Sequence, residues 1–143
     1  MSNKKILIVE DDSDVRLGYH ILLKVKHYDT FFAKDPLSSL SEAHKHRPDL
    51  IILDLGLPAG DGFRVIDQLK AASHLEAIPI IVVSGRDIHT VKARALMSGA
   101  NAYLQKPADN AELLNTISQL IGESGEGAPQ DDSASRRLSE VNT

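Results

Sequence analysis

The sequence predicts an α/β fold: a doubly wound, five-stranded parallel sheet flanked by five helices. Three observations predict it. The runs "KKILIVE", "DLIILD" and "IPIIVVSG" are continuously apolar and largely β-branched, as strands buried on both faces should be. The stretches between them carry apolar residues at helical spacing. Strand-like and helix-like segments alternate, the order that yields a parallel sheet covered on both sides.

Each element has its own signal. "KKILIVE" (4–10) opens the sheet, and "VRLGYHILLKV" (15–25) sets Val15, Tyr19 and Leu22 at helical spacing behind a cap from Asp12, Ser13 or Asp14. "YDTFFA" (28–33) reads as a short strand, and "PLSSLSEAHKH" (36–46) as a helix with Pro36 at its start. "DLIILD" (49–54) is a second buried strand, followed by a helix in "GFRVIDQLKAA" (62–72). "IPIIVVSG" (78–85) is strand-like, and "IHTVKARALMSG" (88–99) is a helix closed by Gly99, a residue type that tolerates a left-handed C-cap. "NAYLQK" (101–106) gives the last strand and "AELLNTISQLI" (111–121) the last helix.

Residues 1–121 thus form one predicted domain, and 122–143 a disordered acidic tail or linker. In the tail five acids outnumber two arginines, leaving −3 of the chain's net charge of −4 there. "RRLS" (136–139) looks like a basic-directed phosphorylation site, a short pattern common by chance.

Composition excludes several functions. The folded part lacks the basic face that nucleic-acid binding needs, and aromatics are only 4%, too few for a base-stacking platform. With no cysteine there is no thiolate metal site and no thiol nucleophile. No run approaches the ~18 apolar residues of a membrane span. "MSNKKILIVEDD" lacks a signal-peptide layout, so a cytoplasmic location is expected. The six histidines show no phosphodonor arrangement; His44 and His46, two apart, point apart on a helix.

The chemistry gathers where strands end, because ligands of open α/β sheets bind at the carboxyl edge. The predicted strands deliver Glu10 and Asp11, then Asp54, Ser84 and Lys106 to that edge. Singly, each has an ordinary reading as a helix cap, a turn residue or a solvated charge; those readings do not explain why all share one edge. Three carboxylates are self-repelling, but Lys106 and a divalent cation would neutralise them. Hard oxygen ligands suit Mg²⁺ or Mn²⁺, and such a site suits phosphoryl transfer. No glycine-rich cradle follows the first strand, which disfavours a bound nucleotide or flavin. A carboxylate can itself accept a phosphoryl group, and Asp54, alone at a central strand end, is the candidate acceptor. Glu10 and Asp11 then hold the metal, Lys106 and the Ser84 hydroxyl meet the oxygens of the incoming group, and Gly85 leaves room for it.

At these residues the chain resembles the receiver domain of two-component response regulators, of the chemotaxis-regulator-like kind. "ILIVEDD" resembles the acidic first-strand motif, "LDLGLPAGDG" the phosphoacceptor motif at Asp54, "VVSG" the Ser/Thr-plus-small motif at Ser84 and Gly85, and "YLQKP" the lysine motif at Lys106. Each is weak alone; four in order are specific. The resemblance covers 4–121 and implies a flavodoxin-like receiver fold. It implies Mg²⁺-dependent transfer from a phosphohistidine, on a histidine kinase or histidine phosphotransfer protein, with slow self-catalysed hydrolysis. It also implies a switch. On phosphorylation Ser84 moves toward the phosphoryl group, Tyr103 turns inward, and the face formed by the fourth helix, fifth strand and fifth helix is remodelled for a downstream protein target not named by the sequence. Gly56, two past Asp54, would add only its carbonyl to the metal shell of Glu10, Asp11 and Asp54. Ala108 follows the Lys106–Pro107 pair where a large apolar residue is frequent. Gly56 and Arg86, flanking the path of attacking water, are expected to set the acyl-phosphate lifetime.

Two other classes compete. A phosphatase or phosphotransferase that forms an aspartyl-phosphate on small molecules usually needs an acid two residues past the nucleophile, where this chain has Gly56. A phosphorylation-independent interaction module would have a decayed site, whereas all key residues are present here.

Overall fold

The structure is a computed structural model describing residues 3–55, 61–85 and 88–125. Its elements run β1 (Lys5–Val9), α1 (Ser13–Val25), β2 (Asp29–Ala33), α2 (Pro36–His46), β3 (Leu50–Asp54), α3 (Asp61–Ala71), β4 (Ile80–Ser84), α4 (Ile88–Ser98), β5 (Ala102–Gln105) and α5 (Asn110–Ile121). Among the described residues the five strands form one parallel sheet in the order β2-β1-β3-β4-β5. The order reverses between β1 and β3, which opens a crevice at their carboxyl ends.

Strand geometry splits the core in two. Successive side chains point to opposite faces of a sheet. Leu7, Val9, Ile51, Leu53 and Val82 therefore face one side, packed with α2, α3 and α4 residues such as Ala43, Ile66 and Ala95. Ile6, Ile8, Ile52, Ile81 and Val83 face the other, packed with Leu23 of α1 and with Leu113 and Ile117 of α5. β3 and β4 are buried along their whole length, which explains their unbroken apolar sequences.

Local chemistry sets the element ends. Asp12 is the cap of α1, its carboxylate accepting from the backbone N–H of Asp14 at 2.8 Å and of Val15 at 3.2 Å. Asp35 and Ser38 form a reciprocal capping box ahead of Pro36. Gly99 closes α4 with φ +121°, a backbone conformation that side chains disfavour. The fourth strand is shorter than its sequence suggests, because Pro79 has no N–H for the ladder and contributes only its carbonyl, to Ile51 N–H at 2.9 Å.

The structure departs from the expected tail just past α5. The Ser124 hydroxyl accepts from Lys4 N–H and donates to the His27 carbonyl, each at 2.7 Å, and Ser124 is 2% exposed. The Tyr28 hydroxyl donates to the Gly122 carbonyl at 2.9 Å. These bonds hold 122–125 against the amino-terminal edge of the sheet, although the segment has no hydrophobic periodicity. Residues 126–143, where the rest of the expected tail falls, lie outside the described residues.

Candidate functional site

The sheet ladder continues one residue past three strand ends. Glu10 N–H donates to the Ala33 carbonyl at 2.9 Å, Leu55 N–H to Val83 at 2.8 Å, and Lys106 N–H to Ser84 at 2.8 Å. Glu10 and Lys106 are thus held by the sheet like strand residues, and Asp54 is itself the last residue of β3. Alternation then sorts the polar ends. Glu10, Asp54 and Lys106 continue the face that carries Ile8, Ile52 and Leu104, on the α1 and α5 side. Ser84 and Tyr103 continue the opposite face, with Val82.

Asp54 is fully buried, an expensive place for a carboxylate unless it is paired. Lys106 supplies the pair, its Nζ 2.8 Å from Asp54 Oδ1. The lysine side chain remains 38% exposed, so the cation bridges the buried acid and the open side of the site. The Tyr19 hydroxyl donates to Asp54 Oδ2 at 3.3 Å.

Glu10 is 3% exposed, and its carboxyl is pushed up to about 8. Burial is the main cause; hydrogen bonding to Asp54, the Asp54 charge and a hydrogen bond with Asp11 add to it. The Asp12 N–H, donating to Glu10 Oε2 at 3.0 Å, offsets part of the rise. Burial, with the charges of Asp54 and Glu10, also pushes the Tyr19 hydroxyl up and keeps it protonated.

The structure thus brings Glu10, Asp11, Asp54 and Lys106 together. Ser84 is fully buried at the end of β4, beside the strand that carries Asp54 and on the other face of the sheet. Tyr103 packs partly buried against the α2–α4 side of the core, its hydroxyl already buried and without a hydrogen-bond partner among the described residues. Gly56 and Arg86 lie outside the described residues. Tyr19 is the site residue that the sequence reading assigned to helix packing alone. The available signal was chemical: a tyrosine on a buried helical stripe needs a partner for its hydroxyl.

The donor set fits a hard divalent cation. Glu10, Asp11 and Asp54 offer only carboxylate oxygens; burial first, and the Asp54 and Asp11 carboxylates beside it, favour the protonated form of Glu10, which a bound cation would oppose. Among the described residues no group of three His, Cys, Asp or Glu side chains is prearranged around one metal position. The fit is therefore one of ligand chemistry. No described helix is long and apolar enough to cross a membrane.

Comparison with known proteins agrees with this geometry. The response regulator receiver domain family profile matches residues 6–118. The KDP operon transcriptional regulatory protein KdpE of Escherichia coli K12 is 43% identical over 108 residues, which are 76% of this chain and 47% of KdpE. This chain thus spans about half of that regulator. The polar-differentiation response regulator DivK of Brucella anthropi is 32% identical over 120 residues, 84% of this chain and 98% of DivK. Among solved structures, the receiver domain of the sensor histidine kinase PA1611 from Pseudomonas aeruginosa, with magnesium coordinated in its active-site cleft, superposes with a TM-score of 0.76 at 27% identity, covering 85% of this chain and 99% of that one. Receiver domains take phosphate from histidine kinases and are phosphoacceptors rather than classical enzymes. A doubly wound sheet with a lysine-paired buried aspartate at its carboxyl edge, matched over most of its length by receiver domains, belongs to the response regulator receiver family of two-component signal transduction.

Proposed function

We propose that this chain takes a phosphoryl group onto Asp54 from a phosphohistidine on a histidine kinase or histidine phosphotransfer protein. One observation carries the assignment: Asp54 is the fully buried carboxylate at a central strand end, and Lys106 pairs with it at 2.8 Å. In the transfer, a lone pair on an Asp54 carboxylate oxygen forms the O–P bond and the P–N bond of the donor breaks. The imidazole nitrogen leaves with that electron pair and takes a proton from solvent. Mg²⁺ or Mn²⁺, held by Glu10, Asp11, Asp54 and the Gly56 carbonyl, would supply charge neutralisation. Lys106 steers: its ammonium pairs with Asp54 at 2.8 Å and has donors left for phosphoryl oxygens.

The Ser84 hydroxyl and Tyr103 are the proposed switch. The buried Tyr103 hydroxyl, without a hydrogen-bond partner among the described residues, supports this reading, since an orphaned polar group favours any rearrangement that gives it a partner. The output is a protein target docking on the face of α4, β5 and α5, in the cytoplasm. The acyl phosphate then hydrolyses slowly by the chain's own catalysis, at a rate set by Gly56 and Arg86. Residues 1–121 act as the receiver and 122–143 as tail or linker.

The test is intact mass after incubation with acetyl phosphate and Mg²⁺. The expected result is a single phosphoryl increment, absent with EDTA and in Asp54→Ala. An increment that persists in Asp54→Ala would move the acceptor elsewhere.

A further inference from the structure

We propose that Tyr19 is a latch on the acceptor carboxylate: its hydroxyl holds Asp54 Oδ2 in the resting chain and must let go for phosphoryl uptake. The inference rests on the reading of Asp54 as phosphoacceptor and concerns how fast that acid reacts.

The two acceptor oxygens have different partners. Lys106 Nζ lies 2.8 Å from Oδ1, and the Tyr19 hydroxyl 3.3 Å from Oδ2. The ammonium has three donors and a side chain that is 38% exposed, so it can hold Asp54 and incoming phosphoryl oxygens together. The tyrosine hydroxyl has one proton, and that proton is directed at Asp54. As the carboxylate lone pair becomes the O–P bond, negative charge leaves Asp54, and a hydrogen bond to it weakens because charged acceptors are the strong ones. Lys106 therefore gains partners along the reaction while Tyr19 loses the value of its one bond. An interaction stronger in the ground state than in the transition state slows the chemical step. Tyr19 keeps its proton throughout and acts as neither acid nor base; it is a positioning residue.

The surroundings give the ring somewhere to go. A cavity of about 670 Å³ lies between α1 and the start of α5, lined by Gly18, Tyr19, Leu22, Ala108 and Leu113 and reaching Asp54. A Cβ added at Gly18 would meet nothing within 4 Å, and Ala108 presents a single methyl.

The experiment compares the parent with Tyr19→Phe and Tyr19→Leu, following phosphoryl incorporation against acetyl phosphate concentration at fixed Mg²⁺. Tyr19→Phe keeps the ring and loses only the hydroxyl. It should take up phosphate about fivefold faster at saturating donor, the size of effect expected for one long hydrogen bond to a charged acceptor. Its half-saturating donor concentration should match the parent's, and its melting temperature should be slightly lower, because the resting hydrogen bond to Asp54 is lost. Tyr19→Leu should be accelerated too, since it also lacks the hydroxyl. A parent that is phosphorylated while Tyr19→Phe is equal or slower overturns the latch and leaves Asp54 as acceptor. Acceleration in Tyr19→Leu alone assigns the effect to the ring and also overturns it. If the parent takes up nothing from acetyl phosphate or from a phosphohistidine protein, the acceptor reading fails, and the latch with it.

Discussion

Glu10 shows how a single residue can link folding to pH. Its folded carboxyl is pushed up to about 8 from an ordinary value of 4.5, chiefly by burial, so the folded chain binds that proton more tightly than the unfolded chain does. The sign follows from linkage: the contribution to stability is fully present below about 4.5 and is lost as pH rises through about 8. Each pKa unit corresponds to ~1.4 kcal/mol, so the loss is on the order of a few kcal/mol. Urea unfolding of the metal-free parent across this range should show stability falling with pH. In Glu10→Gln that fall should flatten, because the amide carries no proton to lose. Equal slopes for the two proteins would place the titration on another group.

At the scale of elements, the clasp at Ser124 joins the end of α5 to both the lead-in of β1 and the turn after α1. One hydroxyl serves two backbone groups, Lys4 N–H and the His27 carbonyl. Ser124→Ala should cost about 1–2 kcal/mol, because buried polar groups that lose their partner retain the desolvation penalty. The midpoint of chemical unfolding reports it, and an unchanged midpoint would mean that water replaces the hydroxyl. The elements themselves were legible in the sequence because periodicity and caps speak for them: Pro36, Asp12 and the continuous runs of β3 and β4 all act locally. The clasp was not. Gly122, Glu123 and Ser124 carry no periodic pattern, and their order comes from hydrogen bonds to residues nearly the whole chain away. Tyr19 escaped for a related reason, since helical spacing explains where its ring goes and says nothing about its hydroxyl. Asp54, Glu10 and Lys106 were legible because a charged residue ending an apolar strand stands out, and parallel strands must bring such ends to one edge.

For the molecule as a whole, burial predicts where stability resides. β1, β3 and β4 each pair on both sides, whereas β2 and β5 are edges. Amides of β3 should therefore exchange with deuterium most slowly and those of β5 faster, since slowly exchanging sites open only with the global core. Ile52→Ala, at a fully buried site, should cost about 2–5 kcal/mol and speed exchange throughout the sheet. Acceleration confined to β3 would instead mean that the strands open independently.

The division of the polar strand ends between the two faces has a consequence for how the chain tolerates insertion and deletion. The central strands are apolar on both sides, so slipping β3 or β4 by one residue exchanges one buried aliphatic side chain for another and leaves the hydrophobic pattern almost intact. The same slip carries Asp54 away from Lys106, or Ser84 to the wrong side of the sheet. Packing alone is nearly blind to this error, and only the terminal polar residue distinguishes one register from the next. Length changes within these strands should therefore yield chains that still collapse and fold yet carry no working site, whereas length changes in loops away from the carboxyl edge leave both intact.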